Sequence, residues 1–80
     1  ADFTRLADSF FFAGQYASAL QYYGSALEAN LSVDNIAGSL SSRNALGRTY
    51  LALGRLEDAS RELTDALEDA RAAGQNQQWR

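Results

Sequence analysis

The side chains with most capacity for chemistry are carboxylates. Glu57-Asp58 and Glu68-Asp69 stand as adjacent pairs, the residue type used for general acid–base work and for binding metal ions. The spacing argues against both uses, because adjacent residues on a helix do not face each other. Nothing beside them supplies a nucleophile, an oxyanion hole or a pocket. The sequence has no His and no Cys, so the commonest general base, the commonest metal ligand and any thiolate or disulfide framework are missing. No catalytic residue, no metal site and no cofactor is expected. The remaining candidates are aromatic: Phe10-Phe11-Phe12 and Tyr22-Tyr23. Aromatic side chains dominate binding hot spots, so they direct attention from reaction to recognition.

The bulk properties point the same way. Eighty residues make at most one small domain of marginal stability. A hydrophobic share of 46% with charges scattered along the chain describes a folded protein without a charged tail. The net charge of −3 disfavours a nucleic-acid partner, since phosphate binding needs clustered Lys and Arg. No apolar run approaches the ~20 residues that span a bilayer, so no membrane partner is expected.

Four amphipathic helices must position these residues. The first is predicted over about Asp2 to Ala13 with Phe3, Leu6, Ala7 and Phe10 inward, and Gly14 ends it. The second runs from about Gln15 to Asn30, with Tyr16, Ala19, Leu20, Tyr23, Ala26 and Leu27 on its stripe and Leu31 at its edge. A break is expected at Asn30-Leu31-Ser32, with Ser32 or Asp34 as N-cap of the next helix. The third spans about Val33 to Leu53, burying Ile36, Leu40, Leu46, Gly47, Tyr50 and Leu53, and Gly54 stops it. The fourth, about Arg55 to Ala73, turns Leu56, Ala59, Leu63, Ala66, Leu67 and Ala70 inward. Its acidic outer face, with Glu57 four residues before Arg61, reads as solvated.

The chain says the same thing twice. Phe10, Gly14, Tyr16, Ala19, Tyr23 and Ala26-Leu27 are echoed by Tyr50, Gly54, Leu56, Ala59, Leu63 and Ala66-Leu67 at a constant offset of 40 residues. Self-similarity at such a period marks a solenoid unit. With two-residue connections at Gly14-Gln15 and Gly54-Arg55, joined helices must be antiparallel neighbours. The expected fold is all-α: two tandem helix-turn-helix hairpins, about 2–31 and 33–73, opening an α-α superhelix. By the same offset, residues 75–80 correspond to Asn35 through Leu40, so they are expected to begin a further repeat helix or to fray, as in a longer array. Trp79 reads as an ordinary packing residue.

These positions resemble the tetratricopeptide repeat. That pattern wants an aromatic early in helix A, then Leu with a small residue, then an aromatic. Phe3, Leu6-Ala7 and Phe10 match it, as do Leu46-Gly47 and Tyr50, while Arg43 stands where the first aromatic belongs. The closing proline of helix B is replaced by Leu31 and Arg71, and a period of 40 rather than 34 is similar to a longer variety of the family. The resemblance implies a non-catalytic interaction module that binds a protein or peptide on the concave surface lined by helices A, or serves as scaffold in a larger protein. It would place Thr4, Asp8, Phe11 and Phe12 there from the first unit and Ser41, Asn44, Arg48, Leu51 and Ala52 from the second. Phe11 and Phe12 exceed what one helix stripe needs, and one of them is expected to pack near Leu51. Asp8 and Arg48 share a repeat position, suited to reading charge or to pairing with each other. Asp8 also occupies the place of the Asn with which some relatives grip a terminal carboxylate, so that activity is not implied. Tyr23 is read as core and Tyr22 as pointing to the side. A second class of function is self-association, a homo-oligomer docking through exposed repeat ends.

Overall fold

The computed structural model describes residues 3–78, with side chains described for 3–72. It contains α1 (Phe3–Phe12), α2 (Tyr16–Ser32), α3 (Ile36–Ala52) and α4 (Leu56–Gln78), and no strand among the described residues. Each helix packs on the one before it, giving a slab of 45 × 29 × 16 Å. The all-α hairpin fold predicted from the sequence is the fold observed.

Three turns of one kind join the four helices. Gly14, Asp34 and Gly54, 20 residues apart, take left-handed φ values of +82°, +56° and +77°. In each turn the following N–H reaches back to the helix it leaves: Gln15 to Phe10 O at 2.8 Å, Asn35 to Asn30 O at 2.8 Å and Arg55 to Tyr50 O at 2.9 Å. This satisfies terminal carbonyls in the manner of a Schellman motif, and Asp is one of the few non-Gly residues that tolerates the conformation. The break between the hairpins therefore falls later than the sequence suggests. α2 continues through Ser32, whose Oγ donates to Ala29 O at 2.8 Å, and the N-cap of α3 is Asn35, whose side chain accepts from the Gly38 N–H at 3.0 Å. Asp34 is excluded from capping because it supplies the left-handed turn, whereas an N-cap sits in the extended region. At the other end, α4 runs to Gln78, past the Gly74 at which the sequence places its end. Trp79 lies outside the described residues.

The core is small and centred on the first three helices: Ala7, Ala19, Tyr23, Ala45 and Leu46, with Phe10, Phe11, Leu20, Tyr22, Leu27 and Tyr50 packed against it. α3 departs most from its predicted stripe. It buries Ser39, Ser42, Ala45, Leu46, Gly47 and Thr49, while Ile36 is exposed. The reason is position: α3 has α2 on one side and α4 on the other, so small residues are needed around its circumference for both to approach. The buried hydroxyls are satisfied within the helix, Ser39 Oγ donating to Ile36 O and Thr49 Oγ1 to Ala45 O, both at 2.8 Å. The opposite holds at the flanks. Leu6 on α1, Leu31 on α2, and Leu56, Leu63 and Leu67 on α4, all predicted inward, are exposed because no further helix covers them.

Two mid-helix glycines separate cleanly. A Cβ on Gly47 would meet Leu63 Cδ2 at 3.1 Å, so the close approach of α3 and α4 uses its absence. A Cβ on Gly24 would meet nothing within 4 Å. Gly24→Ala is therefore expected to stabilise the fold by about 1 kcal/mol. The thermal midpoint should rise by roughly 4–8 °C, and an unchanged or lower midpoint would contradict this account.

Candidate functional site

α1 and α3 carry the residues the sequence nominates for a binding surface. Thr4, Phe12, Ser41, Asn44, Arg48, Leu51 and Ala52 are exposed, and Asp8 and Phe11 are half-buried. The structure brings one group of them together. The Arg48 guanidinium lies over the Phe11 ring at 5.5 Å, joining α3 to α1. Phe11 also meets Phe12 edge-on at 5.6 Å and Tyr16 of α2 at 5.2 Å. Phe11 is thus held by packing, though by Tyr16 and Arg48 rather than Leu51. Phe12 is 80% exposed.

Asp8 and Arg48 do not pair with each other. Asp8 accepts a hydrogen bond from the Tyr23 hydroxyl, and Arg48 is engaged with Phe11. The Tyr23 phenol is pushed up to about 12, first by its burial and then by the hydrogen bond to Asp8 and the Asp8 charge, with Arg48 opposing. At neutral pH Tyr23 therefore remains a neutral donor that fixes Asp8.

Two contacts between helices were missed. Tyr22 does not point aside: it stacks between Phe3, at a centroid distance of 6.4 Å, and Phe10, at 5.4 Å with rings 4° from parallel. At the equivalent positions of the second hairpin, Arg43 replaces Phe3 and Glu62 replaces Tyr22. Arg43 Nη1 lies 3.3 Å from Glu62 and 3.5 Å from Asp65, and Nε donates to Asp69 at 3.0 Å. The outer face of α4 is therefore only partly solvated, and Arg43 explains the missing aromatic. The signal lay in the joint change of Arg43 and Glu62 between the two copies. Asp58 likewise pairs with Arg55 at 2.7 Å and Arg61 at 3.6 Å, so Arg61 meets Asp58 rather than Glu57.

Asn44 lines a second feature, an open groove of about 380 Å³ between α3 and α4 bounded by Leu40, Leu63, Ala66, Leu67 and Ala70. Its lining is apolar apart from Asn44, so it suits packing rather than reaction. Among the described residues no group of three or more His, Cys, Asp or Glu is placed to hold a metal ion, and no helix is long and apolar enough to cross a membrane.

Serial antiparallel hairpins, a repeated glycine turn and a recognition surface without catalytic groups define a helical-repeat protein. The family model of the tetratricopeptide repeat matches residues 3–72, and the chain belongs to that family. Its members generally mediate protein–protein interaction, typically binding proteins or peptides, and are generally non-catalytic. Neither the curated proteins nor the solved structures gave a match.

Proposed function

We propose that this chain is a non-catalytic interaction module that binds a peptide or protein segment across the surfaces of α1 and α3, in isolation or as scaffold within a larger protein. The observation that carries this reading is Phe12, an aromatic side chain 80% exposed beside the Phe11–Arg48 contact. Phe11 and Tyr16 hold Phe12 from one side without covering it, so a ligand side chain meets a supported aromatic face. Arg48 adds a positive charge at the rim, and the net charge of −3 favours a protein partner over a polyanion. The adjacent carboxylates support binding over catalysis, since Asp58 and Asp69 are occupied by arginines.

The test uses peptides selected against the wild-type chain from a displayed random library. Phe12→Ser is expected to change stability by no more than about 0.5 kcal/mol, because the ring is exposed. It should weaken the selected peptides at least about tenfold, and Arg48→Ala should weaken them further when the peptide carries an acidic residue. Selection of no peptide, or full affinity in both variants, rejects the reading.

A further inference from the structure

We propose that a second copy of this chain docks its α1 into the α3–α4 groove, head to tail, repeating between molecules the contact that α3 makes on α2 within one. The template is internal. Ala45 and Leu46 of α3 join Ala19 and Tyr23 of α2 in one buried cluster, and Asn30 of α2 donates to Ser42 of α3 at 3.3 Å. Carried forward by 40 residues, the α2 side of this interface, Tyr23, Ala26, Leu27 and Asn30, becomes Leu63, Ala66, Leu67 and Ala70. Those four residues line the groove. Carried back by 40, Leu46 and Thr49 on the α3 side become Leu6 and Ser9 on α1.

Burial shows that both halves are uncovered. Leu46 is 5% exposed, whereas its copy Leu6 is 47% exposed; Tyr23 is 1% exposed, whereas its copy Leu63 is 40% exposed and the adjacent Leu67 is 65% exposed. One molecule thus presents both sides of an interface whose internal version is closed and apolar. The halves differ from each other, so the contact is heterologous and extends to a third copy. Apolar area removed from water drives it, at the leucines named. The proposal needs neither Phe12 nor Arg48, so it stands or falls separately from the peptide-binding reading.

Sedimentation equilibrium of the 80-residue chain from roughly 10 µM to 1 mM, a range that brackets weak association, is expected to show mass rising with concentration beyond the dimer. Leu6→Glu and Leu67→Glu each place a charge in one half of the contact, and each alone should weaken association at least about tenfold. Both positions are exposed in the monomer, so helical circular dichroism should match wild type; Leu6→Gln and Leu67→Gln provide a milder pair with the same expectation. An equimolar mixture of the two variants retains one intact groove and one intact α1, and is expected to form a dimer that grows no further. A monomeric wild type at the highest concentration overturns the proposal. So does a mixture that stays monomeric, or a variant that associates as well as wild type.

Discussion

Tyr23→Ala is expected to leave the chain largely unfolded, or to lower its thermal midpoint by more than about 12 °C. Tyr23 is the largest fully buried side chain and contacts the cluster that joins α1, α2 and α3. Truncating a buried aromatic residue to Ala destabilises by about 3–5 kcal/mol. A chain of 80 residues has roughly 4–12 kcal/mol in total at 0.05–0.15 kcal/mol per residue, with small domains at the low end. Each kcal/mol moves the midpoint of such a domain by about 4–8 °C. Tyr23→Phe separates the ring from the hydroxyl. It keeps the packing and removes only the bond to Asp8, whose half-buried carboxylate can recruit water, so the loss should be about 1 kcal/mol.

The same pair of proteins reads the ionisation of Tyr23. Its folded pKa is raised from 10.0 to about 12, so the neutral phenol is favoured by folding. The stabilisation is fully present below pH 10 and is lost as pH rises through about 12. Two units correspond to on the order of 2–3 kcal/mol. Denaturant midpoints measured from pH 9 to 12 should show the wild type losing its advantage over Tyr23→Phe and falling below it. Parallel curves for the two proteins would mean that Tyr23 ionises as freely in the fold as in the unfolded chain.

How much of this was legible in the sequence depended on whether a position answered to local rules or to neighbours. Gly14 and Gly54 sit where a left-handed turn is required, and only a few residue types allow that conformation, so the hairpins could be read directly. Asp34 makes the same turn with a residue that also caps helices, and the boundary between hairpins shifted accordingly. Single-stripe periodicity located α1 and α2 but not the buried Ser39, Ser42 and Thr49, because a helix with neighbours on two sides has no single stripe. For the surface, repeat position nominated Phe11 and Phe12 together. Only side-chain geometry divides them, one held under Arg48 and against Tyr16, the other exposed. Asp8 and Arg48 share a position in the repeat yet serve different partners, since Tyr23 is a closer match for a carboxylate than an arginine already placed over a ring.

Replacing Arg43 by Phe alone is expected to destabilise the fold by about 1–3 kcal/mol, and a four-residue exchange is expected to recover most of that. Arg43 is 16% exposed and lies among Glu62, Asp65 and Asp69. Removing it leaves three carboxylates facing one another and strips the part-buried stem from the α3–α4 contact. Exposure of Asp65 and Asp69 to solvent screens the repulsion and keeps the effect below that of a fully buried pair. The first hairpin shows the alternative solution: Phe3, Tyr22, Ser25 and Ala29 occupy the positions of Arg43, Glu62, Asp65 and Asp69, with no charge and a stacked aromatic pair. One cation and three anions therefore changed as a unit between the two copies. Arg43→Phe combined with Glu62→Tyr, Asp65→Ser and Asp69→Ala should transplant the aromatic solution into the second hairpin. Urea denaturation is expected to place the combined variant within about 1 kcal/mol of wild type, with a coupling of at least about 1 kcal/mol relative to the separate changes. The deficit of Arg43→Phe should also shrink in 1 M salt, where the screening length falls to about 3 Å. Strictly additive losses would mean that Arg43 acts through its stem alone and that the two hairpins are not interchangeable at these positions.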